Sequence, residues 1–210
     1  MTVTINGTTG IGGVDGSAGT PAVQGVDTNT GIFFPATDTI AFSEGGTEVM
    51  RITSSANVGI GTTSPAAMLQ VAGSSSVNAL KVPNIAEPAT ISATAATGTI
   101  NYDVTTQSVL YYTSNASANW TVNFRASSGT SLNTLMAVND TITVAFLVTQ
   151  GSTAYYNNAL QIDGSSVTPK YQGGSAWTAG NASGIDVYTY TIIKTASATF
   201  TVLASQTQYK

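Results

Sequence analysis

Between residues 32 and 82 the chain offers only strand candidates of three to five residues, each cut off by turn residues. Ile40 and Phe42 alternate with small or polar neighbours, Gly45-Gly46 turns the chain, and Val49-Met50-Arg51-Ile52 follows. Next come Asn57-Val58-Gly59-Ile60-Gly61-Thr62-Thr63-Ser64-Pro65, then Met68-Leu69-Gln70-Val71, then Leu80 and Val82 ahead of Pro83. Each run gives a core one or two apolar side chains. A single copy buries too little to offset backbone ordering, which costs about 1–2 kcal/mol per residue. The segment therefore reads as a short-stranded, intertwined shaft in which several identical chains share one core along an axis.

Composition narrows the class further. Charged residues make up 8% of the 210, against roughly 25% in ordinary soluble domains. Thr, Ser, Asn, Gly and Ala fill the gap, while Thr, Val, Ile and Tyr recur in short runs that favour strands over helices. The expectation is all-β. Cysteine and histidine are both absent, which removes disulfides, thiolate metal sites, the usual base near neutral pH and the commonest metal ligand. A net charge of -4 leaves no basic stripe for nucleic acid. No apolar run approaches the roughly 20 residues of a membrane helix. The N-terminus lacks a basic region and an apolar stretch, so cytoplasmic synthesis and assembly are expected, with no membrane insertion. Neither cofactor nor metal is expected.

Four segments follow. Residues 1–31 are Gly-rich, with apolar alternation at Val3 and Ile5, and read as an arm that orders by attaching to something else. Residues 32–97 are the shaft or collar, ending in a Pro/Ala/Thr connection from Pro83. Residues 98–125 read as a small meander closed by Trp120. Residues 126–210 read as an antiparallel β-sandwich, jelly-roll-like. There Ile142, Val144, Phe146 and Val148 repeat at period two, Asp186–Ile192 and Ala198–Leu203 do the same, and Asp163-Gly164 and Gly173-Gly174 supply turns.

Two stretches carry a resemblance. The first reads Asn29-Thr30-Gly31-Ile32-Phe33-Phe34-Pro35, Asp38-Thr39-Ile40-Ala41-Phe42, Gly45-Gly46-Thr47-Glu48-Val49-Met50-Arg51-Ile52 and Asn57 through Pro65, continued by Leu69 and Val71. The second runs from Gly98 through Tyr102-Asp103 and Leu110-Tyr111-Tyr112 to Trp120. Both resemble sequences of tail fibres and related virion proteins of tailed bacteriophages, marine and cyanophage types above all. Together they cover under a third of the chain. The resemblance implies a non-enzymatic structural protein of the virion, a homotrimer anchored to other virion proteins through its N-terminal arm. The alternative it leaves open is a capsid decoration or head-fibre protein.

Candidate sites are few. Most of the acidic residues sit beside Gly, Asn or Thr, where a carboxylate caps a turn through the local backbone, so no catalytic pair is assigned. Gly59 and Gly61 read as close approaches between neighbouring chains rather than a phosphate loop. Glu48 and Arg51, three apart in one strand, project to opposite faces, which sends Arg51 towards a carboxylate on another chain. One cluster suggests a ligand: Tyr155, Tyr156, Asn157, Asn158, Tyr171, Gln172 and Trp177, aromatic rings among amides in or beside loops. Flat rings with nearby amides suit a glycan of the host surface. The same rings serve equally well for packing or a subunit interface.

Overall fold

The structure is a computed structural model and describes residues 4–6, 10–74 and 76–210. With 48% strand and 4% helix, the protein is all-β. The chain forms two compact units, Met1–Asn84 and Ile85–Lys210.

In the first unit, β1 (Thr4–Asn6) pairs with β2 (Gly10–Gly12), and β3 (Gly16–Ser17) with β4 (Thr20–Pro21). A six-stranded sheet follows: β5 (Val23–Gln24), β6 (Gly31–Phe33), β7 (Ile40–Glu44), β8 (Thr47–Ile52), β9 (Val58–Ile60) and β10 (Leu69–Val71). Strands β5 to β9 run antiparallel in chain order, and β10 returns parallel to β9. The β7–β8 hairpin turns on Gly45 and Gly46, both at positive φ (57° and 77°), as a two-residue turn matched to strand twist requires.

The arm expected over 1–31 is partly built into this sheet through β5 and Gly31. Of the remainder of that expectation, residues 1–3 and 7–9 lie outside the described residues. Leu80 and Val82, read as a strand pair, are exposed and outside any strand. Gly59 and Gly61 are explained within the chain. A Cβ on Gly59 would sit 2.5 Å from the Thr62 carbonyl oxygen, and Gly61 has φ of 71°. No neighbouring chain is needed.

The interior of this unit is small. Among its described residues, Phe33 and Ala41 are the buried large or aliphatic side chains, joined by Thr39 and Ser43 and by Pro21. Glu48 and Arg51 correct the sequence expectation. The register passes from Phe42↔Met50 to Ser43↔Glu48, leaving Val49 unpaired in a bulge. That extra residue brings Glu48 and Arg51 onto one face. There they form a two-pronged pair, Nε to Oε1 at 2.5 Å and Nη2 to Oε2 at 2.7 Å.

The second unit holds β11 (Ala89–Ala95), β12 (Gly98–Asp103), β13 (Val109–Ser114), β14 (Trp120–Arg125), the one-turn helix α1 (Leu132–Leu135), β15 (Thr141–Thr149), β16 (Asn157–Ile162), β17 (Ser165–Ser166), β18 (Lys170–Tyr171), β19 (Ile185–Ala196) and β20 (Thr199–Tyr209). They form a six-stranded sheet, β11-β13-β15-β19-β20-β18, and a four-stranded sheet, β12-β14-β16-β17. Successive strands from β11 to β16 alternate between the sheets. Neighbours within a sheet are therefore separated by one strand in the other sheet, and they run parallel. Only β15, β19 and β20, and the short β16–β17 pair, are antiparallel. The pairing is thus mixed where antiparallel was expected, and residues 98–125 are interleaved with 126–210 rather than forming a meander of their own.

Both sheets feed one core. Ile100, Tyr102, Trp120, Val122, Phe124, Leu160 and Ile162 come from the four-stranded sheet, and Leu110, Val144, Phe146, Val148, Tyr188, Tyr190, Ile192 and Val202 from the six-stranded one. The period-two reading of β15 holds for Val144, Phe146 and Val148, with Ile142 packed at the margin. Trp120 lies in the middle of this core, edge-on to Phe146 (6.0 Å) and Tyr188 (5.7 Å). Helix α1 is pinned at both ends. The Asp163 carboxylate accepts the Leu132 and Asn133 N–H groups, and the buried Lys194 ammonium donates to the Asn133 and Met136 carbonyls. The charges neutralise the orphan groups of a helix too short to stand alone.

Candidate functional site

The structure divides the seven singled-out residues. Asn157 is buried, and its side chain is fully employed. Nδ2 donates to the Trp120 and Ala159 carbonyls (2.9 and 2.7 Å), and Oδ1 accepts the Tyr190 hydroxyl (3.0 Å). Its backbone carbonyl accepts the Trp177 indole N–H. Trp177 stands edge-on to Tyr171 (4.8 Å) and packs against Tyr188 (5.1 Å). Asn157 and Trp177 therefore hold loops onto the core and offer a ligand little.

Tyr155 also belongs to the framework. Gln150 embraces it, with Oε1 accepting the Tyr155 N–H and Nε2 donating to its carbonyl. The same Nε2 donates to Asp186 at 2.9 Å, and the Asn181 N–H donates to that carboxylate as well. Asp186 is wholly buried. Burial pushes its pKa above the ordinary value, against the pull of the Asn181 and Gln150 hydrogen bonds. Tyr156 is half-exposed, with its N–H donating to Asn119. Asn158 is exposed because the register skips it: Trp120 pairs with Asn157 and Thr121 with Ala159.

Tyr171 and Gln172 reach an open groove of about 450 Å³, whose other walls are Lys170, Thr189, Thr191, Leu203 and Ser205. A smaller recess beside it shares Gln172 and Ser205 and adds Trp177 and Gln206. The groove lies across β18, β19 and β20 on the side opposite the core. Thr189 and Thr191 alternate with the inward Tyr188, Tyr190 and Ile192, so the period-two pattern could have identified them. Lys170, Leu203 and Ser205 join through the parallel β18–β20 pairing, Lys170↔Leu203, which has no local sequence signal. Lys170 is the single charged side chain along both walls, and burial raises the Tyr171 pKa. The Tyr171 ring turns to the core side, because Tyr171 pairs with buried Ala204 and packs against Trp177. The groove itself offers an amide, hydroxyls and one ammonium, which suit a polyhydroxylated ligand.

Of the ten acidic residues, seven have structural hydrogen-bond partners. Asp27 holds Thr30, Glu48 holds Arg51, Glu87 holds Ser108, Asp103 holds Arg125 and Asp140 holds the Ala137 N–H, alongside Asp163 and Asp186. Among the described residues no group of three or more His, Cys, Asp or Glu side chains is placed to hold a metal ion, and no helix is long and apolar enough to cross a membrane. No protein-family model, curated protein or solved structure matches the chain.

Proposed function

We propose that the chain is a structural subunit of a tailed-bacteriophage virion, fibre-like and homotrimeric. The poverty of the first unit's interior carries the reading: Phe33 and Ala41 are buried there, while Val23, Ile40, Ile60, Met68, Leu69 and others stay exposed in the single chain. A stable protein seldom leaves that much apolar surface in water unless another surface covers it. The two stretches that resemble phage fibre sequences, and the charge-poor, Thr-rich composition, support the same reading.

In this account the N-terminal segment attaches to other virion proteins. The second unit, a sandwich of its two sheets, faces outward, and the Tyr171–Gln172 groove contacts a host-surface glycan. Multiple copies on one particle multiply weak contacts through effective concentration. Labelling tailed-phage particles with an antibody against residues 85–210 tests the assignment. Label on a projecting part of intact particles is expected; label confined to particle-free lysate overturns it. For the glycan contact, Lys170→Ala with Gln172→Ala should weaken binding to host polysaccharide at least tenfold while the melting temperature holds. Unchanged binding overturns that part.

A further inference from the structure

The register of the first unit's sheet places its apolar side chains in two unbroken rows. One row runs Val23, Ile32, Phe42, Met50, Ile60, Val71 across all six strands. The neighbouring row, two residues along, runs Ile40, Ile52, Val58, Leu69. Directly paired residues share a face, and so do residues i and i+2. All ten side chains therefore lie on the same side of the sheet, and none is buried.

The opposite side is different in kind. Its central row is Phe33, Ala41, Arg51, Gly59, Gln70. Phe33 and Ala41 are buried there, and the Glu48–Arg51 pair lies on the same side. Pro21 of β4 is buried close to Gly31, in line with Phe33 along β6. The sheet has one side finished by its own chain and one left apolar.

We infer that the two-row face is where copies of this chain meet, the same face of each of three copies turned towards a common axis. This rests on the oligomeric reading above and names the surface that makes it. No charged or polar side chain stands among the ten positions, so a polar or charged partner would bury groups with nothing to bond. An identical face meets that requirement, since like against like brings no charge conflict. The border is polar: the next pair along β7 and β8 is Glu44 and Thr47. An apolar centre with a polar margin is the anatomy of a protein interface. Ten positions, on strands about 4.8 Å apart and in rows about 7 Å apart, give roughly 340 Å² per copy. That is under half of the roughly 800 Å² per partner in a standard interface. Met68, Val77, Leu80 and Val82, exposed in the same unit, can supply more.

The full chain tests this by native mass and by cross-linking. The wild type should weigh a multiple of 21.3 kDa. Phe42→Lys and Ile60→Lys should fall to the single-chain mass, while Ile91→Lys, at an exposed position of β11, should not. Because lysines could unfold the sheet, a gentler variant accompanies them. The chain has no cysteine, so Phe42→Cys offers one thiol. Stacked sheets lie about 10 Å apart, within reach of a short bis-maleimide. A covalent dimer from Phe42→Cys, absent from Ile91→Cys, is the expected result. If the wild type is oligomeric, yet the lysine variants stay assembled and Phe42→Cys does not link, the face is wrong and the oligomeric reading stands. A wild type at single-chain mass overturns both.

Discussion

Each unit of this chain contains a six-stranded sheet, and the two sheets solve the burial problem differently. In the second unit the sheet lies against a four-stranded partner. Alternate residues of β15 and β19 disappear into a core centred on Trp120, Phe146, Tyr188 and Tyr190. In the first unit a sheet of equal strand number carries ten aligned apolar side chains, none of them buried among the described residues. What makes a private interior is therefore a second layer rather than strand count or apolar content. The first sheet has the content and leaves it unburied.

The sharpest way to break this contrast is to cut into both sheets. Trp120→Ala removes the centre of a filled core and should cost the second unit about 3–5 kcal/mol, read by denaturant unfolding. Phe42→Ala, assayed in dissociated single chains, should cost less than about half of that. Comparable losses would mean the first unit has an interior of its own. A smaller effect sharpens the picture of how the second unit closes. Lys194→Ala strips the Asn133 and Met136 carbonyls of their donor and should cost about 1–3 kcal/mol. In the first unit, buried Ser43 has no hydrogen-bond partner for its Oγ. Ser43→Ala should therefore raise the stability of that unit by about 1 kcal/mol, and a loss would show an unseen partner.

The smallest expected effect is a pH slope. Asp186 has a folded-state pKa raised above its ordinary value, because burial disfavours the carboxylate. The folded state thus binds its proton more tightly than the unfolded chain does. The resulting stabilisation is complete below the unfolded pKa and is lost as pH rises through the folded one. The second unit should melt at a higher temperature near pH 4 than near pH 7 once other carboxylates are matched. Asp186→Asn should flatten that component, and an unaltered slope would assign it elsewhere.

Much of this was legible in the residues. All-β character followed from composition, the Gly45-Gly46 hairpin from its glycines, and the core face of β15 from alternation at Val144, Phe146 and Val148. The poor interior of residues 32–82 followed from run length. Other features left no trace. Periodicity shows which side chains share a face but not which strand lies alongside, so alternation between sheets and its parallel pairing were invisible. Single-residue bulges mattered most. Val49 reversed the relation of Glu48 and Arg51, and Asn158 was turned outward beside a buried Asn157. Nothing local distinguishes aromatics that pack against the core, such as Trp177 and Tyr171, from rings that would meet a ligand.

The alternation of β11 to β16 between two layers has a consequence for synthesis on the ribosome. Within the run from β11 to β16 no strand pairs with the one next to it in the chain, because each partner in the same layer lies beyond a strand of the other. Strand β15 waits for β19, some forty residues downstream, and β19 for β20. Contacts so distant in sequence close slowly, so the nascent chain should remain vulnerable to chaperones and proteases until Thr199–Tyr209 has emerged.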